Sequence, residues 1–283
     1  MGNNVLQKLL HYAEDDDNIC AVLAEGSRAF GTVDDYSDYD IVYVTRSNKP
    51  YFNGAILPFL VDCFGEIAIM QTPDDGDPEF VYTHLIQFKN GIRIDLTFNS
   101  IEFLSRTPLE SATGVLLDKD DRFSNIEQPS DSDFWQMQPS AEKFRRLCNE
   151  FWWCSPYVVK AVARNQMLHA LEMLTHIRNE YVTMLAILAG ANNNRKCVNT
   201  GKHHFDVNRF LLPEQKHYYD VLLESYVQAD NLSIITALSL LMENYNALAT
   251  DVADLLGYCY DFTEMEKCTG FIKERYSSIW QVS

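Results

Sequence analysis

The sequence predicts an α+β protein in which a mixed-sheet amino-terminal domain, residues 1–138, is followed by an all-helical carboxy-terminal domain, residues 139–283. Before residue 100, short runs rich in β-branched and aromatic residues alternate with turn signals, as in the strands of a sheet. Residues 118–139 are polar and contain two prolines, which is typical of a connection between domains. From Ser140 onward, apolar residues recur at helical spacing.

The first domain is predicted to open with an amphipathic helix at residues 2–13, because its apolar residues share one helical face. The elements predicted after it are a strand at 19–24, a strand at 38–44, a helix at 51–60, a strand at 64–70 and a hairpin with arms 83–88 and 92–98. Asn90-Gly91 predicts the hairpin, since this pair favours a two-residue turn. A threonine, a proline and then a glutamate within residues 107–110 predict a further short helix.

The second domain is predicted to be helical from Ser140 to Gly190, where apolar stripes repeat every three or four residues. A polar loop follows, and Pro213 then opens another helix. Two more helices are predicted at about 231–256 and 262–280. We therefore expect substrates to bind where this helical domain meets the sheet.

The net charge is −17, from 23 basic and 40 acidic residues. Such a field repels nucleic acid and attracts a cationic small molecule, so we expect no nucleic-acid partner. The seven cysteines are odd in number and include no Cys-x-x-Cys pair, so neither a zinc site nor a disulfide framework is indicated. No apolar run is long enough for a membrane span. These features predict a reduced, cytoplasmic protein without membrane contact, and we expect a monomer.

Asp38 and Asp40 lie in a run that is predicted to be a strand. Because side chains alternate along a strand, both carboxylates point to one face, with α-carbons about 7 Å apart. A third carboxylate, Asp95, lies among aliphatic residues on the second arm of the hairpin. Carboxylates held close together repel one another unless a cation is bound. The pattern therefore predicts a site for divalent metal.

Gly26 and Ser27 follow the predicted strand at 19–24. A glycine at this point allows a sharp turn and the close approach of a ligand. Ser27 can offer its hydroxyl and a backbone N–H to a phosphate oxygen. Together with the three aspartates, this turn favours phosphate chemistry.

Other functions fit parts of this pattern. The two carboxylates of a glycosidase flank a sugar from opposite sides at about 5–9 Å, whereas Asp38 and Asp40 lie two positions apart on one strand. A nucleotide-binding regulator without catalysis has no need of the full acidic set. A transferase with another small-molecule or protein acceptor stays open.

The Gly-Ser turn, the Asp-x-Asp strand and the later strand aspartate resemble the polymerase-β-like nucleotidyltransferase superfamily. Within it, the chain is similar to the aminoglycoside 6-adenylyltransferases, the streptomycin-modifying family, and the length of the chain fits as well. The similar stretches are Glu25-Gly26-Ser27-Arg28, Asp38-Tyr39-Asp40-Ile41, Phe64-Gly65-Glu66, Met70-Gln71-x-Pro73, Arg93-Ile94-Asp95-Leu96-Thr97, Leu116-Leu117-Asp118-Lys119-Asp120, Asn149-Glu150-Phe151-Trp152 and Tyr157-Val158-Val159-Lys160. Beyond residue 190 the similarity is thin.

The resemblance implies transfer of AMP from Mg-ATP to a hydroxyl of a cationic aminoglycoside, first of all the 6-position of streptomycin, with release of pyrophosphate and antibiotic resistance. It implies two Mg²⁺ ions on Asp38, Asp40 and Asp95, with Asp95 acting as metal ligand, general base or both. The residues expected to bind the nucleotide are Gly26, Ser27, Arg28, Tyr157, Lys160 and Arg164. Lys160 matches a lysine that reaches the triphosphate, and Arg164 follows one helical turn later.

The chain departs from the family at Ile187-Leu188, where the streptomycin-modifying members carry a tryptophan followed by a basic residue. The acidic loop at 74–79 is predicted to be a solvated turn or an acidic lip for a cationic acceptor. His169 and His176 lie two helical turns apart, too far to share one metal ion without other ligands. The residues left open in the helical domain are Glu150, Glu172 and Glu180, as acceptor-binding carboxylates, and Trp152 and Trp153, which are expected to pack in the core or between domains.

Overall fold

The computed structural model describes residues 2–74, 76–107, 109–192 and 198–280. It divides into two compact units, Met1–Asp133 and Phe134–Ser283. The first unit contains a mixed sheet with helices and the second is largely helical, so the predicted fold class is confirmed. The predicted domain boundary between residues 138 and 139 stays a prediction.

The first unit is built around a six-stranded sheet. Its strands are β1 (Ile19–Glu25), β2 (Tyr39–Thr45), β3 (Ile67–Gln71), β4 (Val81–Phe88), β5 (Arg93–Ser100) and β6 (Thr113–Asp118). Their order across the sheet is β3-β4-β5-β2-β1-β6. β2 and β5 run parallel, whereas the other neighbouring pairs are antiparallel. β2 and β5 therefore lie at the centre, where the aspartates predicted to bind metal are located.

Four α-helices of the first unit are described, and they are α1 (Gly2–Asp15), α2 (Ser27–Phe30), α3 (Leu57–Phe64) and α4 (Ile101–Leu104). Apolar residues of α1 and α3 form one buried cluster with Ile41, Leu96 and other inward residues of the sheet. The opposite face of the sheet has a smaller cluster around Leu23 and Val42. This second face is the one that also carries the acidic side chains.

The hairpin between β4 and β5 is confirmed. Its turn uses Gly91 at φ 89°, a left-handed conformation that favours glycine. The side chain of Asn90 accepts a hydrogen bond from the backbone N–H of Ile92 at 3.1 Å, which tightens the turn. The predicted helix at 51–60 is a 3₁₀ turn at Lys49–Gly54 followed by α3.

The helix predicted within residues 107–110 is wrong in its position. Pro108 lies outside the described residues, and residues 109 and 110 are not helical. A short helix begins earlier, at α4, where the hydroxyl of Ser100 accepts a hydrogen bond from the N–H of Phe103 at 3.2 Å. Ser100 is both the last residue of β5 and the N-cap of α4, so the helix begins directly after the strand.

The second unit contains five described α-helices. They are α5 (Ala141–Ala163), α6 (Met167–Asn192), α7 (Lys216–Glu224), α8 (Asn231–Leu256) and α9 (Thr263–Arg275), and a two-stranded ribbon pairs β7 (Trp135–Gln136) with β8 (Val198–Asn199). Ser140 caps α5 by accepting a hydrogen bond from the N–H of Lys143. Phe151 of α5 stacks on Tyr245 of α8 with ring centroids 3.6 Å apart.

The two neighbouring tryptophans of α5 differ. Trp152 is buried, and its Nε1 donates a hydrogen bond to the hydroxyl of Tyr260 at 2.9 Å, so the predicted packing role is confirmed. Trp153 is 65% exposed, so it does not pack in the helical core. The alternative of packing between the domains stays a prediction for this residue. Adjacent helical positions point about 100° apart, and only one of the two reaches the core.

Within the described residues, no helix is long and apolar enough to cross a bilayer. The described cysteines, which are Cys20, Cys63, Cys148, Cys154, Cys259 and Cys268, are all free thiols.

Candidate functional site

β2 separates its apolar and acidic side chains by strand alternation. Tyr39, Ile41 and Tyr43 are buried in the cluster under α1 and α3. Asp40 lies between them in sequence and points to the opposite face, and Asp38 precedes the strand with the same parity. Burial of the aromatic and aliphatic residues thus fixes the direction of the two carboxylates.

Asp95 is brought to the same face by the parallel pairing of β2 with β5. Asp40 lies directly opposite Asp95 in the register of the two strands. Neighbouring strands are about 4.8 Å apart, so the two side chains are adjacent. Inward neighbours of Asp95, namely Ile94 and Leu96, are fully buried and hold β5 in this register. The structure therefore brings together the three aspartates that the sequence singles out.

Gly26 lies against this acidic group. Its backbone has φ 60° and ψ −141°, a conformation that L side chains rarely adopt. A Cβ atom at this position would lie 3.4 Å from Oδ2 of Asp40. Ser27 begins α2 directly after this turn. The glycine thus permits the backbone before Ser27 to approach the carboxylate of Asp40.

Arg28 is held in the loop that precedes β2. Its Nε donates a hydrogen bond to the carbonyl oxygen of Asp38 at 2.6 Å, and its Nη2 donates one to that of Ser37 at 2.8 Å. The guanidinium also lies 3.5 Å from the centroid of the Tyr39 ring. In this position Arg28 braces the backbone on which Asp38 is carried.

Arg93 supplies a positive charge between two of the aspartates. Its Nη1 lies 3.3 Å from Oδ2 of Asp38, and its Nη2 lies 2.8 Å from Oδ2 of Asp95. Its Nε also donates a hydrogen bond to Oδ1 of Asp95 at 3.1 Å. Nothing in the local sequence around Arg93 identifies Asp38 as a partner, because that contact depends on the pairing of β2 with β5.

Burial and mutual repulsion make it unfavourable to ionise the clustered aspartates in the folded protein. The pKa of Asp40 is raised by burial and then by the neighbouring carboxylates of Asp95 and Asp38, against the opposing effect of Arg93. The pKa of Asp38 is raised by burial, which outweighs the nearby guanidinium of Arg93. Carboxylate oxygens are the ligands that Mg²⁺ prefers, and a guanidinium already stands among them. The donor set therefore fits a divalent cation.

Replacing Arg93 with glutamine should destabilise the metal-free protein at neutral pH by roughly 0.5–1 kcal/mol. The effect is small because the ion pair between Arg93 and Asp38 is partly solvent-exposed. The raised pKa values of Asp38 and Asp40 mean that their charged forms oppose folding above the ordinary value of 3.8. The loss of stability caused by Arg93→Gln should therefore become smaller as the pH falls towards 3.8, and also when Mg²⁺ is added.

Chemical denaturation in EDTA and in Mg²⁺, at several pH values, measures this effect. Arg106→Gln is the matched control, since Arg106 forms an exposed pair with Glu102 away from the acidic group. Equal destabilisation by both variants, unchanged by pH or Mg²⁺, would remove Arg93 from the electrostatics of the site.

Glu25 is a fourth carboxylate beside this group. It ends β1, and the pairing of Ala24 with Ile41 places the next residues of the two strands, Glu25 and Asp40, side by side. The pKa of Glu25 is raised by burial, then by Glu110 and then by Asp40. In the sequence Glu25 stands only as part of the Glu-Gly-Ser-Arg stretch. Its position before the Gly-Ser turn is the signal that could have identified it.

Tyr157 and Lys160 lie in the second unit, where they line a cavity of about 450 Å³. Nζ of Lys160 lies 5.8 Å from the centroid of the Tyr157 ring. The cavity is also lined by the exposed Trp153 and by Lys267, which pairs with Glu264 at 3.0 Å. The aromatic wall and the ammonium group of Lys160 suit a flat or anionic ligand, whereas the charge of Lys267 is already paired with Glu264. Arg164 follows at the carboxyl end of α5 and is exposed.

The other sequence candidates have different surroundings. Ile187 and Leu188 are buried in the helical core, at 1% and 0% exposure. Asp75 of the acidic loop lies outside the described residues, and Glu79 of the same loop pairs with Lys49 at 3.0 Å. Glu172 is exposed on α6.

A mixed sheet that gathers three carboxylates on one face, behind a Gly-Ser turn, is the arrangement of a polymerase-β-like nucleotidyltransferase, and the chain is an enzyme of this class. A family model described as streptomycin adenylyltransferase matches residues 2–275. Because this match spans nearly the whole chain, the protein belongs to that family.

Similar proteins are each named aminoglycoside 6-adenylyltransferase. The one from Staphylococcus aureus is 27% identical over 97% of this chain and 98% of its own. Those from Campylobacter jejuni and Bacillus subtilis (strain 168) are 27% and 29% identical, over 95% and 77% of this chain and 94% and 78% of their own. A crystal structure of the aminoglycoside 6-adenyltransferase from Bacillus subtilis has 24% identity and a TM-score of 0.47, covering 98% of this chain and 97% of that one.

Proposed function

We propose that this enzyme transfers AMP from Mg-ATP to a hydroxyl of a cationic aminoglycoside, first of all the 6-position of streptomycin, with release of pyrophosphate. The observation that carries the proposal is the meeting of Asp38, Asp40 and Asp95 on one face of the sheet beside Gly26. Family membership and the names of the relatives support the adenylyl group and the aminoglycoside. In the reaction, an acceptor oxygen bonds to the α-phosphorus as the bond to pyrophosphate breaks.

Asp38, Asp40 and Asp95 are the residues that would hold Mg²⁺, two ions being expected. Such ions, when bound, stabilise negative charge on the attacking and leaving oxygens. Asp95 would in addition accept the proton that the acceptor hydroxyl loses. Its partner Arg93 can then pair with Asp38 or with phosphate oxygens, since a guanidinium matches both.

Gly26 and Ser27 would contact the phosphates. The positive φ of Gly26 leaves no side chain between the turn and a ligand, and Ser27 offers a hydroxyl and a backbone N–H. Arg28 would act mainly by holding the loop, because two of its nitrogens already donate to backbone carbonyls.

Lys160, with Tyr157 and Arg164, would bind the nucleotide. Lys160→Ala should raise the KM for ATP by about 10–100-fold and change the KM for the acceptor little, because a charge-assisted hydrogen bond to phosphate would be lost. Lys267→Ala is the matched control, since Lys267 lines the same cavity but pairs with Glu264. Steady-state kinetics with each substrate varied would test this. Equal effects of the two variants on the KM for ATP would refute a specific role for Lys160.

The choice of acceptor rests on charge and on the family. A net charge of −17 attracts a polycation, and rising salt should therefore weaken acceptor binding. The departure at Ile187-Leu188 falls in the buried core. Buried residues make no direct contact with a solvated acceptor, so this departure argues only weakly against streptomycin.

Pyrophosphate release tests the proposal. The purified enzyme, with ATP and Mg²⁺, is offered a panel of aminoglycosides, a lincosamide and neutral sugars, with Asp40→Asn as the control. Release with streptomycin and AMP on its 6-hydroxyl, found by mass spectrometry and NMR, is the expected result. Release only with a neutral compound would refute the electrostatic argument. Mg-ATP binding without release for any compound would favour a protein acceptor or a regulator.

Cells that express the enzyme should gain resistance to streptomycin if the acceptor is assigned correctly. We infer a cytoplasmic location from the free thiols of the described cysteines, since oxidising compartments favour disulfides. We also infer a monomer with no nucleic-acid partner, on the basis of the strongly negative charge.

A further inference from the structure

A second group of potential ligands lies between α5 and α6, wholly within the helical unit. Glu150 and Cys154 are one turn apart on α5, and His176 and Glu180 are one turn apart on α6. Residues at i and i+4 share one face of a helix. The two pairs therefore meet across the contact between the helices.

The distances within this group are short. Sγ of Cys154 donates a hydrogen bond to Oε1 of Glu150 at 3.2 Å, and Nε2 of His176 lies 3.1 Å from the same oxygen. One ligand atom from each of these three residues lies within 4.8 Å of the others. Bond lengths of about 2.0–2.3 Å place the ligands of a tetrahedral zinc ion about 3.3–3.6 Å apart. Small side-chain rotations are thus sufficient to admit an ion.

The surroundings of the group suit metal capture. Cys154 is buried at 7% exposure, so its sulfur is held in place by the helix contact. His176 and Glu150 retain 38% and 48% of their side-chain exposure, so an ion can enter from solvent. The carboxylate of Glu180, one turn after His176 on α6, raises the pKa of the Cys154 thiol further, after burial and the effect of Glu150. A fixed thiol with an accessible imidazole and carboxylate is a mixed set of donors.

We propose that Glu150, Cys154 and His176 bind a zinc-type transition-metal ion, with water as the fourth ligand. Sulfur, nitrogen and oxygen donors in a tetrahedral arrangement select Zn²⁺, whereas Mg²⁺ takes six oxygens. When the ion binds, the thiol proton passes to solvent and the hydrogen bonds to Glu150 are replaced by bonds to the metal. The site therefore differs in chemistry and location from the three aspartates on the sheet.

The sequence gives no sign of this site, since its cysteines form no local zinc motif. His169, the other histidine considered with His176, is exposed and does not belong to the group. A metal here would cross-link α5 to α6. It would thereby stabilise the folded chain by an amount that grows with the logarithm of the ion concentration above the dissociation constant.

Cobalt substitution tests the proposal directly. The full-length protein, cleared of metal with a chelator, is titrated with Co²⁺ and followed by absorbance, and Zn²⁺ is then added. We expect one tetrahedral Co²⁺ per chain with a sulfur-to-cobalt charge-transfer band, which Zn²⁺ abolishes. Cobalt on the three aspartates cannot give this band, because they provide only oxygen. No such band at any Co²⁺ concentration that leaves the protein soluble would overturn the proposal.

Matched variants locate the site. Cys154→Ala should remove the sulfur band, and His176→Gln should weaken Zn²⁺ binding on the order of 100-fold. Cys148→Ala, Cys259→Ser and His169→Gln should leave both unchanged, the first being a buried cysteine of the same helix near Tyr245. His176 is partly exposed, so its variant tests the site even where Cys154→Ala fails to fold. A band that persists in Cys154→Ala, or a change in acceptor KM in His176→Gln with Zn²⁺ binding intact, would refute the proposal.

Discussion

Replacing Asp40 with asparagine should lower adenylyl transfer by about 10³-fold or more while the protein still folds. Asp40 and its neighbours are the residues that we propose to hold the metal, which would stabilise charge that develops only in the transition state. Loss of Asp40 should therefore affect turnover more than substrate binding. The position of Asp40 opposite Asp95, beside the Gly26 turn, makes it the central carboxylate of the group. Pyrophosphate release at saturating ATP and acceptor measures the loss.

The same substitution should stabilise the metal-free protein. Because burial and neighbouring carboxylates raise the pKa of Asp40, its charged form opposes folding at neutral pH, and the neutral amide removes this penalty. The melting temperature in EDTA should rise, and the further rise caused by Mg²⁺ should become smaller. Below the ordinary value of 3.8 the advantage of the variant should disappear, because Asp40 is then protonated in both states.

Asp35→Asn is the matched control for both measurements, since Asp35 is exposed in the loop before β2. It should change neither turnover nor the response to Mg²⁺. A folded Asp40→Asn enzyme that keeps more than about a tenth of wild-type turnover would contradict the metal assignment. A tenfold loss of rate corresponds to only about 1.4 kcal/mol, which is too small for the loss of a catalytic metal ligand.

Asp95→Asn should reduce turnover by about 10²–10⁴-fold, the range expected for loss of a positioned general base. Arg93 contacts both oxygens of Asp95, so the asparagine keeps the shape but loses the charge that orients the guanidinium. The two roles considered for Asp95, general base and metal ligand, predict different behaviour of the Asp95→Asn variant. If Asp95 takes the proton, saturating Mg²⁺ should not restore the rate.

If Asp95 is only a ligand, the variant should instead recover most activity at high Mg²⁺. We expect the first pattern, because Asp95 lies adjacent to Asp40 on the neighbouring strand and can face both metal and acceptor. Turnover within about tenfold of wild type at ordinary Mg²⁺ would exclude both roles.

The elements that carry the proposed site follow from local sequence. Alternation in β2 predicts that Asp38 and Asp40 share a face, and burial of Tyr39 and Ile41 on the other face accounts for it. Asn90-Gly91 predicts the hairpin that presents Asp95, and the turn uses a left-handed glycine as expected. These features depend on neighbours in the chain, which is why the sequence is sufficient for them.

Start points of short helices are less well determined by sequence. The motif within residues 107–110 is a helix signal in isolation, yet α4 begins at Ser100, where β5 ends. Local propensities of this kind amount to only about 1 kcal/mol, and sheet packing can override them. Trp153 likewise shares its apolar character with Trp152 but lies outside the core at 65% exposure.

By itself, the sequence determined the fold class and the family, and it identified the three aspartates as candidate metal ligands. Each of these is specified by residues close together in the chain or by a motif. Tertiary structure alone decided that Arg93 pairs with Asp38, that Glu25 lies beside Asp40, and that Cys154 of α5 meets His176 of α6. Such contacts arise from strand register and helix packing between distant segments. No local sequence pattern predicts which charged side chains become neighbours, since that depends on how the apolar faces of the strands and helices are buried together.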